Sequence, residues 1–202
     1  MFAPILDLWM KVLFLHGLAS SGSYKMASTL RILLQDSEVI SPDIPIDAKQ
    51  ALSLIENLCH REHPDVVVGL SMGGFWAQKL RGYRKVLVNP DFHISRLLRS
   101  MIGEVKYLSP RADGATSFFV TDEICRDYEE MESGQFRDLE EDELRLTLGL
   151  FATDDELVRC GKEFESYYKG RAVEYPGRHL PNFPETKTYI LPKILELIND
   201  TK

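Results

Sequence analysis

Ser71 stands in Gly69-Leu70-Ser71-Met72-Gly73, and its hydroxyl is the first candidate for chemistry in this chain. The apolar run Asp65-Val66-Val67-Val68 precedes the motif, and a helix-forming stretch from Gly74 to Leu80 follows it. Strand, Gly-x-Ser-x-Gly, helix is the pattern of a nucleophile elbow, a tight turn that holds a serine hydroxyl clear of a sheet. The glycines have a steric purpose. A side chain at 69 or 73 would meet strand or helix backbone, and glycine is expected there to take the unusual dihedrals cheaply. By average composition the five-residue pattern arises by chance in about one chain in twenty of this length, so its surroundings must carry the reading.

A serine hydroxyl is a weak nucleophile at neutral pH and needs a base, which in turn needs an acid to orient it. After such an elbow the chain order is Ser, then Asp or Glu, then His. His179 follows the last short strand, in Tyr175-Pro176-Gly177-Arg178-His179-Leu180-Pro181. Loops at the C-terminal edge of a parallel sheet are where catalytic groups gather, so His179 is the expected base. His93 comes too soon after a strand, and His60 and His63 read as surface residues at a helix end. The acid is sought in Ala152-Thr153-Asp154-Asp155-Glu156. Asp155 leads, ahead of Asp154 and Glu156, and Asp91 after the preceding strand is a rival. Two backbone N–H groups must face the developing negative charge. Met72, next to the nucleophile at a helix start, supplies one. Leu18, in the loop His16-Gly17-Leu18 after the first strand, supplies the other. His16 is expected to brace that loop.

The elements that must position these groups alternate. Strands are expected at 11–15, 38–41, 65–68, 85–88, 144–151 and 171–174. Helices are expected at 23–34, 47–59, 72–81, 156–168 and 184–198. The strands are continuous apolar runs, as in a parallel sheet covered on both faces. Phe75 and Trp76 read as core. Alternation breaks between 91 and about 143, where helices at 94–102 and 121–133 flank a turn-rich loop at Ser109–Gly114. The aromatics there (Phe92, Tyr107, Phe118, Phe119, Tyr128 and Phe136) argue for an ordered cap, and are expected to wall an acyl pocket.

At 202 residues, 44% hydrophobic and 27% charged, the chain reads as one soluble domain. Residues 10–202 form it, and residues 1–9 read as an N-terminal extension without the basic start of a signal peptide. The net charge of −7 argues against a nucleic-acid partner. Residues 122–143 hold eleven acids and two arginines, expected to be a solvated helical face, or a docking site for a basic partner. No metal-ligand spacing stands out, so no metal and no other cofactor is expected. No apolar run is long enough for a membrane span. Cys59, Cys125 and Cys160 form no Cys-x-x-Cys pair and read as free thiols of a cytoplasmic protein.

Leu13-Phe14-Leu15-His16-Gly17-Leu18-Ala19-Ser20-Ser21, the elbow with Gly74, Val88-Asn89-Pro90, Thr153-Asp154-Asp155-Glu156 and Gly177-Arg178-His179 occur in the order seen in small α/β-hydrolases. The chain resembles the YqiA/YcfP (UPF0227) esterase-like family over nearly everything from Met10 onward. The resemblance implies an α/β-hydrolase fold, mostly parallel, with a helical cap between the sixth and seventh strands of the standard fold. It also implies hydrolysis of small acyl esters by Ser71, Asp155 and His179. Ala152 stands where a glycine often opens the acid turn, which keeps Asp154 in play. Arg178 stands where small or polar residues are common, and would lower the basicity of His179 if it pointed inward. Two other outcomes fit the same residues: a binding protein on this scaffold with little catalysis, and acyl transfer to an acceptor other than water.

Overall fold

The computed structural model describes residues 9–200. The expected N-terminal extension lies, Trp9 apart, outside the described residues. Six strands pair in parallel: β1 (Lys11–Leu15), β2 (Glu38–Ile40), β3 (Val66–Leu70), β4 (Lys85–Val88), β7 (Thr147–Ala152) and β8 (Ala172–Tyr175), in the order β2-β1-β3-β4-β7-β8. Side chains alternate across a strand, so an unbroken apolar run means two buried faces. In β1, Val12 and Phe14 join one core while Leu13 and Leu15 join the other. Helices α1 (Lys25–Leu33) and α9 (Leu191–Asn199) cover the Val12 face. Helices α2 (Ala48–Glu62), α3 (Met72–Lys79) and α7 (Gly161–Tyr167) cover the Leu13 face, and Phe75 and Trp76 are fully buried there.

From β1 the chain crosses to β2 at one edge, then returns to β3 on the other side of β1. The carboxyl ends of β1 and β3 therefore meet at the point where strand order reverses, the place where such sheets hold ligands.

Between β4 and β7 lie α4 (Ile94–Arg99), β5 (Gly103–Lys106), β6 (Ser117–Val120), α5 (Asp122–Glu132) and α6 (Glu141–Leu146). The segment is not purely helical, because β5 and β6 pair as an antiparallel ribbon. Each ribbon strand has four residues, and β5 alternates half-buried with exposed, too short a signal to stand out. The helix predicted to reach Ile102 ends at Arg99. Two of the six acids of α5 pair with cations across the fold, Asp127 with Lys49 and Glu129 with Arg99, and Glu132 accepts from Ser95.

Two other boundaries differ from the predicted ones. Leu144–Leu146 end α6 rather than begin β7, because three acids in the first turn of α6 favour a helix. Residues 156–160 are loop rather than helix. The Asp155 carboxylate accepts from the Leu157 and Val158 N–H groups, turning the chain on itself before α7 begins. The closing helix is α8 (Phe183–Glu185), one π-helical turn (Thr186–Ile190), then α9. Pro192 has no N–H to donate, and the wider turn just before it accommodates that loss. No helix among the described residues is long and apolar enough to cross a membrane.

Candidate active site

Ser71 links β3 to α3 with φ 55° and ψ −119°, a conformation costly for any residue with a Cβ. The surroundings hold it there. Ser71 N–H donates to the Val88 carbonyl, and the Ser71 carbonyl accepts from Gly74 and Asp91 N–H groups. The flanking glycines are needed for close approach. A Cβ on Gly69 would lie 2.2 Å from the Gly73 carbonyl oxygen, and one on Gly73 would lie 2.0 Å from the Leu15 carbonyl oxygen. The unusual dihedral expected at these glycines falls on Ser71 itself, since neither glycine has a positive φ.

His179 Nε2 lies 3.0 Å from Ser71 Oγ, and its Nδ1 lies 2.7 Å from Asp155 Oδ2. Asp155 Oδ1 accepts from Leu157 N–H at 2.8 Å and Val158 N–H at 2.9 Å. A carboxylate accepting on both oxygens assigns the imidazole hydrogen to Nδ1. Nε2 is then bare and accepts from the serine hydroxyl. Asp155 and His179 are both buried, whereas Ser71 opens onto the cleft.

The loops carrying these two residues are stitched together beyond β7 and β8. Thr153 N–H donates to the Tyr175 carbonyl and Asp154 N–H to the Gly177 carbonyl, each at 3.0 Å. Asn89, just past β4, completes the join. Its Oδ1 accepts from Ala152 N–H at 2.7 Å, and its Nδ2 faces Tyr175 Oη and the Arg178 and His179 carbonyls at 2.9–3.1 Å. Asn89 is buried at φ 45°, in the left-handed region where Asn is among the better-tolerated residues. Sequence reasoning assigned it no role. An Asn-Pro pair at a strand's end was the available signal.

The rivals fall elsewhere. Asp154 and Glu156 share a surface crevice with the exposed Arg178, so that guanidinium does not turn in toward His179. Asp91 lines the cleft, but its Oδ1 accepts from the His93 backbone N–H, and burial raises its pKa. Burial also pushes the Cys160 thiol in the cleft wall up to about 12, which leaves it a poor nucleophile.

His16 is buried and holds the loop after β1. Its Nε2 accepts from Ile44 N–H at 3.0 Å, which puts its hydrogen on Nδ1, 2.8 Å from the Gly17 carbonyl. A trans peptide points N–H opposite to C=O, so anchoring this carbonyl directs the Leu18 N–H away from His16. Burial lowers the His16 pKa to about 4, keeping the ring neutral, as both bonds require. Leu18 lines the cleft, and Met72 opens α3, where helix geometry leaves N–H groups without helical partners.

The cleft above Ser71 measures about 850 Å³. Its apolar wall is mostly aliphatic, Leu97, Met101, Leu108, Leu157 and Leu180, with Tyr24 beside them. The aromatics of the inserted segment, expected to form that wall, pack elsewhere. Phe92, Phe118 and Tyr128 are buried in the Leu13-side core, and Phe119 is exposed.

A profile of the uncharacterised protein family UPF0227 matches residues 11–169. No match to a curated protein sequence was found. Solved structures share the architecture at low identity. Est1E from Butyrivibrio proteoclasticus superposes with a TM-score of 0.61 at 14% identity, covering 96% of this chain and 90% of that one. A pyrethroid hydrolase from Sphingobium faniae JZ-2 gives 0.61 at 13%, covering 95% and 98%. The methylesterase MES16 from Arabidopsis gives 0.58 at 13%, covering 93% and 99%. The fold is that of the α/β-hydrolases.

Proposed function

This chain belongs to the uncharacterised protein family UPF0227, and we propose that it is a serine hydrolase of carboxylic esters, thioesters included. The observation that carries the reading is the pair of contacts through His179, 3.0 Å to Ser71 Oγ and 2.7 Å to Asp155 Oδ2. That solved esterases share the fold supports it.

Ser71 Oγ adds to the carbonyl carbon of a bound ester while its proton passes to His179 Nε2. Asp155 holds the ring in the required tautomer and stabilises the imidazolium. Leu18 and Met72 N–H groups receive the oxyanion, a contribution of about 3–4 kcal/mol per donor in such sites. Collapse breaks the bond to the leaving alcohol or thiol, which takes the proton from Nε2. Water then gives a proton to Nε2 and its oxygen to the acyl carbon. The second collapse returns the proton to Ser71 Oγ and frees the acid.

A small acyl ester is the partner this reading names, and the mostly aliphatic cleft wall suits its apolar part. Three free cysteines support a reducing, cytoplasmic setting.

Ser71→Ala is expected to abolish hydrolysis of short p-nitrophenyl esters and labelling by a fluorophosphonate, with thermal unfolding unchanged. Wild-type turnover in that variant refutes the proposal. Product analysis with added alcohols or amines separates hydrolysis from acyl transfer.

A further inference from the structure

A side chain from beyond β4 meets two from the start of α7 in the wall of the cleft. His93 lies beyond β4, while Cys160 and Glu163 lie at the start of α7. One ligand atom from each falls within 4.8 Å of the other two, and His93 Nε2 is 2.8 Å from Glu163 Oε2. All three line the cleft, as does Asp91, whose carboxylate acts electrostatically on Cys160. Among the described residues no other group of three such ligands gathers.

We propose that His93, Cys160 and Glu163 form a zinc site in the cleft wall, and that the bound ion reversibly inhibits the enzyme. Thiolate, imidazole and carboxylate together suit zinc rather than calcium or magnesium, which take oxygen ligands. Tetrahedral bonds of about 2.0–2.3 Å set ligands about 3.3–3.8 Å apart. The closest pair, at 2.8 Å, must open slightly, and the others, within 4.8 Å, need close by no more than about 1.5 Å. The His93 and Glu163 side chains are 53% and 31% exposed, so both can turn. Three protein ligands leave a fourth position facing the cleft, for water or a substrate oxygen. Binding is balanced without redox chemistry. The Cys160 thiol gives its proton to solvent as the sulfur–zinc bond forms, and the His93 hydrogen resides on Nδ1 while Nε2 binds.

The ion fills cleft volume next to Val158 and Arg159. With the Cys160 proton lost, binding also adds a net single positive charge near Asp91 and Asp155, which weakens the support Asp155 gives the His179 imidazolium. The inhibition, unlike the binding, rests on the esterase reading.

Cobalt(II) titrated into the metal-free full-length protein is the test. One equivalent is expected to give a thiolate-to-cobalt charge-transfer band that zinc displaces. Cys160→Ser is expected to remove the band. His93→Gln, at an exposed position, and Glu163→Gln, at a half-buried one, are expected to weaken zinc binding by at least about 10–100-fold, the loss seen even for outer-shell partners. Zinc is expected to suppress wild-type ester turnover at least tenfold, and the ratio of turnover with and without zinc is expected to approach one in all three variants. Absence of a saturable band, or its persistence in Cys160→Ser, overturns the site. A band without loss of turnover overturns the inhibition. A band in a protein that hydrolyses no ester counts against the esterase reading and leaves the site standing.

Discussion

Asp155 accepts three hydrogen bonds on two oxygens, and one side chain thereby does two jobs. Its Oδ1 turns the loop before α7, and its Oδ2 aims His179. Adjacent acids are not equivalent, because only this one is buried beside the imidazole while Asp154 faces solvent. Asp155→Asn is expected to lower kcat about 10⁴-fold, since an amide donor facing Nδ1 favours the wrong tautomer. Asp154→Asn is expected to hydrolyse p-nitrophenyl esters at the wild-type rate, and steady-state kinetics on both variants check the assignment. Asn89 works at one remove. Asn89→Ala would leave Ala152 N–H and the carbonyls of 178 and 179 without this partner, and loosen the loops that carry Asp155 and His179. We expect a loss of about 1–3 kcal/mol in urea unfolding. We also expect a fall in kcat with little change in KM, a split that a merely destabilised enzyme assayed below its transition does not give.

At the scale of elements, the strand-turn-helix from β3 through α3 brings a strained serine and two close-approach glycines to one end of the sheet. The opposite end is clamped by an ion pair. Lys85, the first residue of β4, is fully buried, and its Nζ donates to Glu143 Oε2 at 2.6 Å and to the Leu80 carbonyl at 2.7 Å. The other Glu143 oxygen accepts from Gly82 N–H. The clamp fixes α6 just before β7 starts, and so fixes the strand that ends at the Asp155 loop. Glu143→Ala leaves a buried ammonium without its counter-charge and is expected to cost about 3–5 kcal/mol. Lys85→Met with Glu143→Leu is expected to recover most of that loss in the same denaturant titration, because the desolvated charges are gone as a pair.

Over the whole molecule, pH acts on stability through groups whose burial changes their protonation. His16 has a folded pKa of about 4 against an ordinary 6.5, so between these values the unfolded chain binds a proton the native state refuses. Its contribution is complete above about pH 6.5 and is lost as pH falls toward 4, about 3 kcal/mol across the window. Asp91 and Glu132, raised by burial, act in the opposite sense. Urea unfolding from pH 7.5 to 4 should therefore show a steeper decline in the wild type than in His16→Asn, and parallel curves would refute a neutral buried ring.

The order of strands and helices, the parallel sheet, the elbow and the loop bearing Leu18 were legible in the sequence, because apolar periodicity and glycine spacing are local and leave local marks. Ser71, Asp155 and His179 could be nominated on chain order, yet Asp154, Glu156 and Asp91 remained eligible, because a carboxylate's neighbours in space are not its neighbours in sequence. The short β5–β6 ribbon escaped notice since its strands span barely two pleats. Tertiary structure alone decided that Asn89 joins the Asp155 and His179 loops, that the aromatics of the inserted segment leave the cleft wall mostly aliphatic, and that His93 meets Cys160 and Glu163. The first and last depend on segments between about 60 and 90 residues apart closing to hydrogen-bond or ligand distance, and only the packing of strands and helices against one another supplies that closure.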